Sequence, residues 1–360
     1  MELNLVSKSS AEKFLGYFQG AGRVVLVGHA NPDGDCLGCT SAMLHYLEDM
    51  GIAANVIVPG KVPEFLRFLF SERNGVHKED ALVEFDKRPE YSAELVQKAD
   101  LIICMDFNAL HRVDDLAGIL QSASVPRLLI DHHPHPQEQD FNLMLLETEI
   151  SSASELTFWL IRSMNELTTI ASGKKKEISM PQAVSLYTGM MTDTNNFDNS
   201  VFPSTHRMAA YLLELGVNSE AIQWAVFNSY RENRIRLIGY LTGSNMKVDY
   251  RLKAACMTLS REQQENFDFK DGDTEGVVNM PLAIKDVMIS AFFTEGKTMT
   301  RVSLRAKGNF VVNAFAAKYF NGGGHPRAAG GRIQDIPFKD IETYFFKCLA
   351  EYIDHMEIDN

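Results

Sequence analysis

Four stretches of this 360-residue chain place carboxylates and imidazoles directly after apolar segments. RVVLVG (23–28) runs into His29-Ala30-Asn31-Pro32-Asp33-Gly34-Asp35, and LIICM (101–105) into Asp106. RLLI (127–130) runs into Asp131-His132-His133, and a helical stretch ending near Met191 into Asp193. Singly, each has an ordinary explanation: Asp33 and Asp35 suit a turn or a helix N-cap, and a lone histidine before a turn is polar filler. Together they form an oxygen-rich donor set with imidazole and no thiolate, which suits manganese or magnesium better than structural zinc. The histidines favour manganese, because magnesium prefers oxygen and retained water. His29, Asp33 and Asp35 are all odd positions, so an extended backbone would project them to one side. Pro32 and Gly34 would hold the turn.

The elements that must position these groups are legible as apolar runs. Arg23–Gly28, Asn55–Val58, Leu101–Met105 and Arg127–Ile130 predict strands, apolar throughout rather than alternating, as strands buried on both faces are. Helices are predicted over Leu37–Met50, stopping at Gly51, and over Ser152–Ser163 and Pro181–Met191. Alternation of the two predicts an α/β fold with a parallel sheet. Ligands bind such sheets beyond the carboxyl ends of the strands, where three of the four clusters fall. Residues 1–203 are the expected first domain and 204–243 a helical connector broken near Gly216 and Ser219. A smaller α/β domain is expected over 244–360, with strand-like segments at Lys247–Leu259, Val287–Thr294 and Thr300–Ala306. A helix at Val311–Tyr319, a glycine-rich loop and a helical segment from Phe338 complete it.

Composition bounds the partners. Hydrophobic residues at 45% and charged residues at 23% are a globular balance. The net charge of -12 gives no general attraction to duplex nucleic acid. Five scattered cysteines, Cys36, Cys39, Cys104, Cys256 and Cys348, with no secretory signal, point to a reducing, cytoplasmic setting. Cys36-x-x-Cys39 lacks the second pair that a zinc site needs. No apolar run approaches the ~20 residues of a membrane span. Residues 296–334 hold seven cations (Lys297, Arg301, Arg305, Lys307, Lys318, Arg327, Arg332) and no acid. Arginine forks and the N–H groups of a glycine-rich turn grip phosphate, so Arg305, His325 and Arg327 are the candidate substrate contacts.

At these residues the chain resembles the DHH phosphoesterase superfamily, named for the triplet present as Asp131-His132-His133. The family's first motif, His-x-x-Pro-Asp-x-Asp followed by Gly-Ser, is similar to His29 through Cys39, with Cys39 in the serine position. Asn321–Gly330 resembles the glycine-rich signature of the DHH-associated domain, Asn321 replacing its first glycine. Ser303-Leu304-Arg305-Ala306 resembles that domain's Ser-x-Arg-Ser. The resemblance implies one divalent ion on His29, Asp33 and Asp106, and another on Asp35, Asp106, His132 and Asp193, Asp106 bridging. Two such ions ~3.5–4 Å apart activate water and clamp phosphoryl oxygens. Asp131 would orient a ligand histidine, and His133 would face the substrate phosphate. Gly323 and Gly324 would join Arg305, His325 and Arg327 in binding substrate.

Length and domain pairing resemble the family's bacterial nanoRNase and pAp phosphatase group. That implies hydrolysis of very short single-stranded RNA, or of 3′-phosphoadenosine 5′-phosphate (pAp) to AMP, with manganese before magnesium or cobalt. It also implies a homodimer and no duplex or membrane partner. Three other readings stay open: a cyclic-dinucleotide or pApA phosphodiesterase, a pyrophosphatase or exopolyphosphatase, and a catalytically inactive nucleotide-binding regulator. The GGGH sequence speaks against the second, and the complete ligand set against the third.

Overall fold

The apolar runs of the first half become parallel strands because helices cover both of their faces. The computed structural model describes residues 5–70, 81–228, 230–270 and 272–358, and the chain divides into units Met1–Ser229 and Tyr230–Asn360. In the first, β1 (Arg23–Val27), β2 (Ala53–Val58), β3 (Leu82–Glu84), β4 (Leu101–Met105), β5 (Arg127–Asp131) and β6 (Leu143–Leu146) make an all-parallel sheet. Its order is β3-β2-β1-β4-β5-β6. The helices of this unit are α1 (Lys8–Gln19), α2 (Gly34–Asp49), α3 (Pro89–Gln97), α4 (Leu116–Ser122), α5 (Ala153–Ser172), α6 (Met180–Asp193), α7 (Pro203–Glu214) and α8 (Ser219–Phe227). Leu26, Val56, Ile103 and Leu128 face a core shared with Leu37 and Leu44 of α2, Phe158 of α5 and Met190 of α6. Val25, Val27, Ile102 and Leu129 face the opposite core with Val96 of α3 and Leu116 of α4. The order reverses between β1 and β4, the switch point at which an open parallel sheet leaves a crevice.

The second unit contains α9 (Glu232–Tyr240), β7 (Lys247–Asp249), β8 (Ala254–Leu259), α10 (Arg261–Asn266), β9 (Ile289–Glu295), β10 (Thr300–Ala306), α11 (Val312–Tyr319), β11 (Gly323–His325), β12 (Ala328–Ile333) and α12 (Ile341–Ile358). Its sheet runs β11-β12-β10-β9-β8-β7, with β8 and β9 parallel and the other pairs antiparallel. Phe315 and Phe345 fill one face and Met257, Leu259 and Phe292 the other.

Three sequence expectations change here. The segment Lys247–Leu259 is two strands, because Asp249 Oδ1 accepts from the Arg251 and Leu252 amides and turns the chain. The glycine-rich stretch is a hairpin of β11 and β12 rather than a loop. The helical stretch expected as a connector is shared, α7 and α8 belonging to the first unit and α9 to the second. Among the described residues no helix is long and apolar enough to cross a membrane.

Candidate metal centre

Register brings the first three clusters together. Val27 pairs with Cys104 and Met105 with Ile130, so His29, Asp106 and Asp131 leave adjacent strands at nearly the same level. Asp106 has φ 64, a left-handed conformation that aspartate tolerates better than most residues. Its two oxygens diverge: Oδ2 lies 3.3 Å from His29 Nε2 and Oδ1 3.5 Å from His132 Nε2. The His29 Nδ1–H donates to the Ala30 carbonyl at 2.8 Å, which leaves Nε2 for the cluster. Asp33 Oδ1 stands 3.8 Å from His29 Nε2.

Asp33 and Asp35 arrive by a different route from the one their spacing predicts. Asp33 is the N-cap of α2, its Oδ1 accepting from the Asp35 and Cys36 amides at 3.1 Å, and Asp35 lies in the first helical turn. A strand end followed by a cap and a helix, not extended alternation, brings the three side chains together. Asp35 is itself gripped by the N-terminus of α5: Ala153 N–H donates to Oδ2 (2.7 Å) and Ser154 N–H to Oδ1 (2.8 Å). Asp193, the last residue of α6, places Oδ2 3.8 Å from His132 Nε2, while Asp35 Oδ2 is 4.0 Å away.

Donor atoms of Asp35, His132 and Asp193 all lie within 4.8 Å of one another, as do those of Asp106, His132 and His133. His29, Asp106 and Cys36 form a third such group. The sequence reading set Cys36 aside; its thiol fills the space over Gly28, and burial pushes its pKa well up. The carboxylate and imidazole donors fit hard divalent cations, and Asp106 faces two positions at once. Asp131, wholly buried, accepts at 2.8 Å from His133 Nδ1–H, so its partner is not His132.

The charges are tightly interlocked. Burial opposes ionisation of Asp106, but its hydrogen bonds to His132 and His29 hold the carboxyl well below the usual range. Burial, the largest single influence, likewise opposes charge on the histidines. Asp106, together with Asp33 at His29 and with Asp193 and Asp35 at His132, outweighs it, raising His29 to about 9 and His132 to about 10. Burial and then Asp106 lift Asp35 to about 7. Asp193 keeps 32% of its side chain open, and burial of its carboxyl together with Asp35 pushes it up as well.

In the second unit, Arg301, Ser303 and Arg305 alternate onto one face of β10. Directly opposite them on β12 stand Arg332, Gly330 and Ala328, and His325 and Gly323 of β11 face Ala328 and Gly330. Arg305, His325 and Gly323 therefore share a face. Gly324 points to the other side, with φ +134 and a backbone so close that a Cβ would lie 2.6 Å from the Ala328 carbonyl. Arg327 is in the exposed β11–β12 turn. Lys307 is not free for a ligand, since its Nζ donates to the Leu282 and Ile284 carbonyls.

Comparison with known proteins places this geometry. The DHH family, N-terminal domain, matches residues 23–190, and the DHHA1 domain matches residues 253–352. The bifunctional oligoribonuclease and PAP phosphatase NrnA of Bacillus subtilis is 27% identical over 332 residues, covering 89% of this chain and 94% of that protein. The cyclic-di-AMP phosphodiesterase PdeA of Listeria monocytogenes is 21% identical, covering 92% of this chain and 48% of that protein. An exopolyphosphatase-related protein from Bacteroides fragilis has a crystal structure that superposes with a TM-score of 0.89 at 35% identity, covering 99% of this chain and 100% of that one. With both domain patterns present in order along most of its length, the chain belongs to the DHH family.

Proposed function

We propose that this protein is a two-ion phosphoesterase that cleaves very short oligoribonucleotides to mononucleotides and pAp to AMP. The observation that carries the reading is Asp106, whose separate oxygens face His29 and His132 at 3.3 and 3.5 Å. One cation position would be held by His29, Asp33 and Asp106, the other by Asp35, Asp106, His132 and Asp193, with manganese the preferred ion over magnesium and cobalt. Bound there, the pair of ions supplies a lowered water pKa and charge stabilisation at the phosphoryl oxygens. The chain's own groups orient the reaction. Asp131 fixes the His133 ring by accepting from Nδ1–H. In the doubly protonated ring, Nε2–H would hold the phosphate or pass its proton to the departing sugar oxygen, leaving neutral His133.

The second unit supports recognition of a second phosphate. Arg301 and Arg332 stand directly opposite each other on neighbouring strands, like charges whose repulsion an anion would relieve. Arg305 and His325 lie on the same face. The named activities of the B. subtilis relative agree with a substrate of few phosphates. The test is a panel of pAp, dinucleotides, trinucleotides, cyclic-di-AMP, pyrophosphate and long single strands, each with manganese, magnesium and cobalt. Preference for pAp and di- or trinucleotides is expected. Cyclic-di-AMP or pyrophosphate as the better substrate would replace this reading.

A further inference from the structure

Glu155 has 0% of its surface exposed and accepts four hydrogen bonds. Its Oε2 takes them from Ser151 N–H (3.1 Å), Ser151 Oγ (2.5 Å) and Thr205 Oγ1 (2.8 Å), and its Oε1 from the Trp159 indole N–H (3.2 Å). The Ser151 amide and the indole can only donate, and they sit on different oxygens. Both oxygens must therefore accept, which a carboxylate does and an amide cannot.

What these donors belong to gives the residue its role. Ser151 leads into the N-terminus of α5, whose first two amides hold the Asp35 carboxylate. Thr205 lies in the first turn of α7, at the far end of the segment that follows Asp193. That segment keeps Asn195, Asn196, Phe197 and Ser200 at positive φ, a conformation that persists only when its surroundings hold it. Asp35 and Asp193 form one donor group with His132, whereas Asp106, which also meets His132, is shared with the His29 side. The α2–α6 packing around them leaves no slack: a Cβ at Gly189 would lie 1.9 Å from Ser154 Oγ and 3.0 Å from Asp35 Oδ1.

We infer that Glu155 is a positioning residue for one cation position only, that of Asp35, His132 and Asp193. It ties the helix end beneath Asp35 to the helix beyond Asp193 and leaves His29 and Asp33 untouched. The inference rests on the two-ion reading above.

The test is manganese binding to the full-length protein, by calorimetric titration and by electron paramagnetic resonance of free manganese, beside the melting temperature without metal. Glu155→Gln must turn an N–H toward one of its donors. One of two manganese sites is expected to keep its wild-type affinity and the other to weaken about 10–100-fold, as loss of a ligand's supporting partner does. Adding Trp159→Phe removes the indole donor, so E155Q/W159F should recover affinity at the weakened site. Thr205→Val cuts the α7 connection, together with the Oγ1 acceptor of the Phe202 amide, and should weaken the same site less; it carries the test if Glu155→Gln does not fold. Equal weakening of both sites, or a lower melting temperature with both sites intact, would overturn the inference. A wild-type protein that binds no pair of ions would fail the two-ion reading before any variant is compared.

Discussion

Asp106 has no substitute at the residue scale, because among the described residues no other carboxylate reaches both histidines through separate oxygens, at 3.3 and 3.5 Å. Asp106→Asn keeps the volume but replaces one acceptor with N–H donors. Manganese-dependent hydrolysis of pAp should drop by about 10³-fold or more, the equivalent of several kcal/mol of charge stabilisation; a variant retaining full activity would refute the bridging role. The same interlocked charges set a pH dependence. Asp35 holds its proton up to about 7, His29 to about 9 and His132 to about 10. A cation competes with those protons, so apparent manganese affinity should rise as pH climbs from 6 to 9. Calorimetry in buffers of different ionisation enthalpy should register proton release on binding. Affinity that stays flat across that interval contradicts the assignment.

Elements deliver those residues through close approach. Gly38 and Gly189 let α2 and α6 meet: a Cβ at Gly38 would lie 2.7 Å from the Ser185 carbonyl. Gly189→Ala drives a methyl into Ser154 and should destabilise the first unit by roughly 1–3 kcal/mol, the usual cost of overpacking. The urea midpoint measures it, and an unshifted midpoint would show that the helices have room to move. How much of this was legible follows from range. β1, β4 and β5 read directly as apolar runs because their burial on both faces is a local property of the text. Their register is tertiary, so the meeting of His29 with Asp106 could be suspected from strand ends but not located. Alternation grouped His29, Asp33 and Asp35, whose side chains do converge, but for a reason that the α2 N-cap replaces. Glu155 was passed over because it sits three residues after Ser152, as an ordinary helix-start residue does. Its meaning depends on Thr205, fifty residues away.

Charge distribution over the whole molecule sets what it can hold. The chain carries 47 acids against 35 Lys and Arg, yet residues 296–334 contain seven cations and no acid. Lys307 is engaged by carbonyls, and Lys318 lies near the Tyr319 and Tyr352 rings. Of the other five, Arg301, Arg305 and Arg332 share a face with His325, and Lys297 and Arg327 lie exposed outside it. Arg305→Ala should raise KM for pAp by about 10–100-fold, the worth of a hydrogen bond to a charged partner, without altering manganese affinity. The chain is net acidic, so each added nucleotide is expected to bring more repulsion than grip. kcat/KM should therefore fall steadily from dinucleotide to longer RNA, with a shallow salt dependence of slope about -1 to -2, as one or two neutralised phosphates and an attracted ion dictate. Rates measured on a ladder of two to twenty-four nucleotides at two salt concentrations decide it: undiminished cleavage at the long end, with a steep salt slope, would mean that a cationic track extends beyond the β10–β12 face.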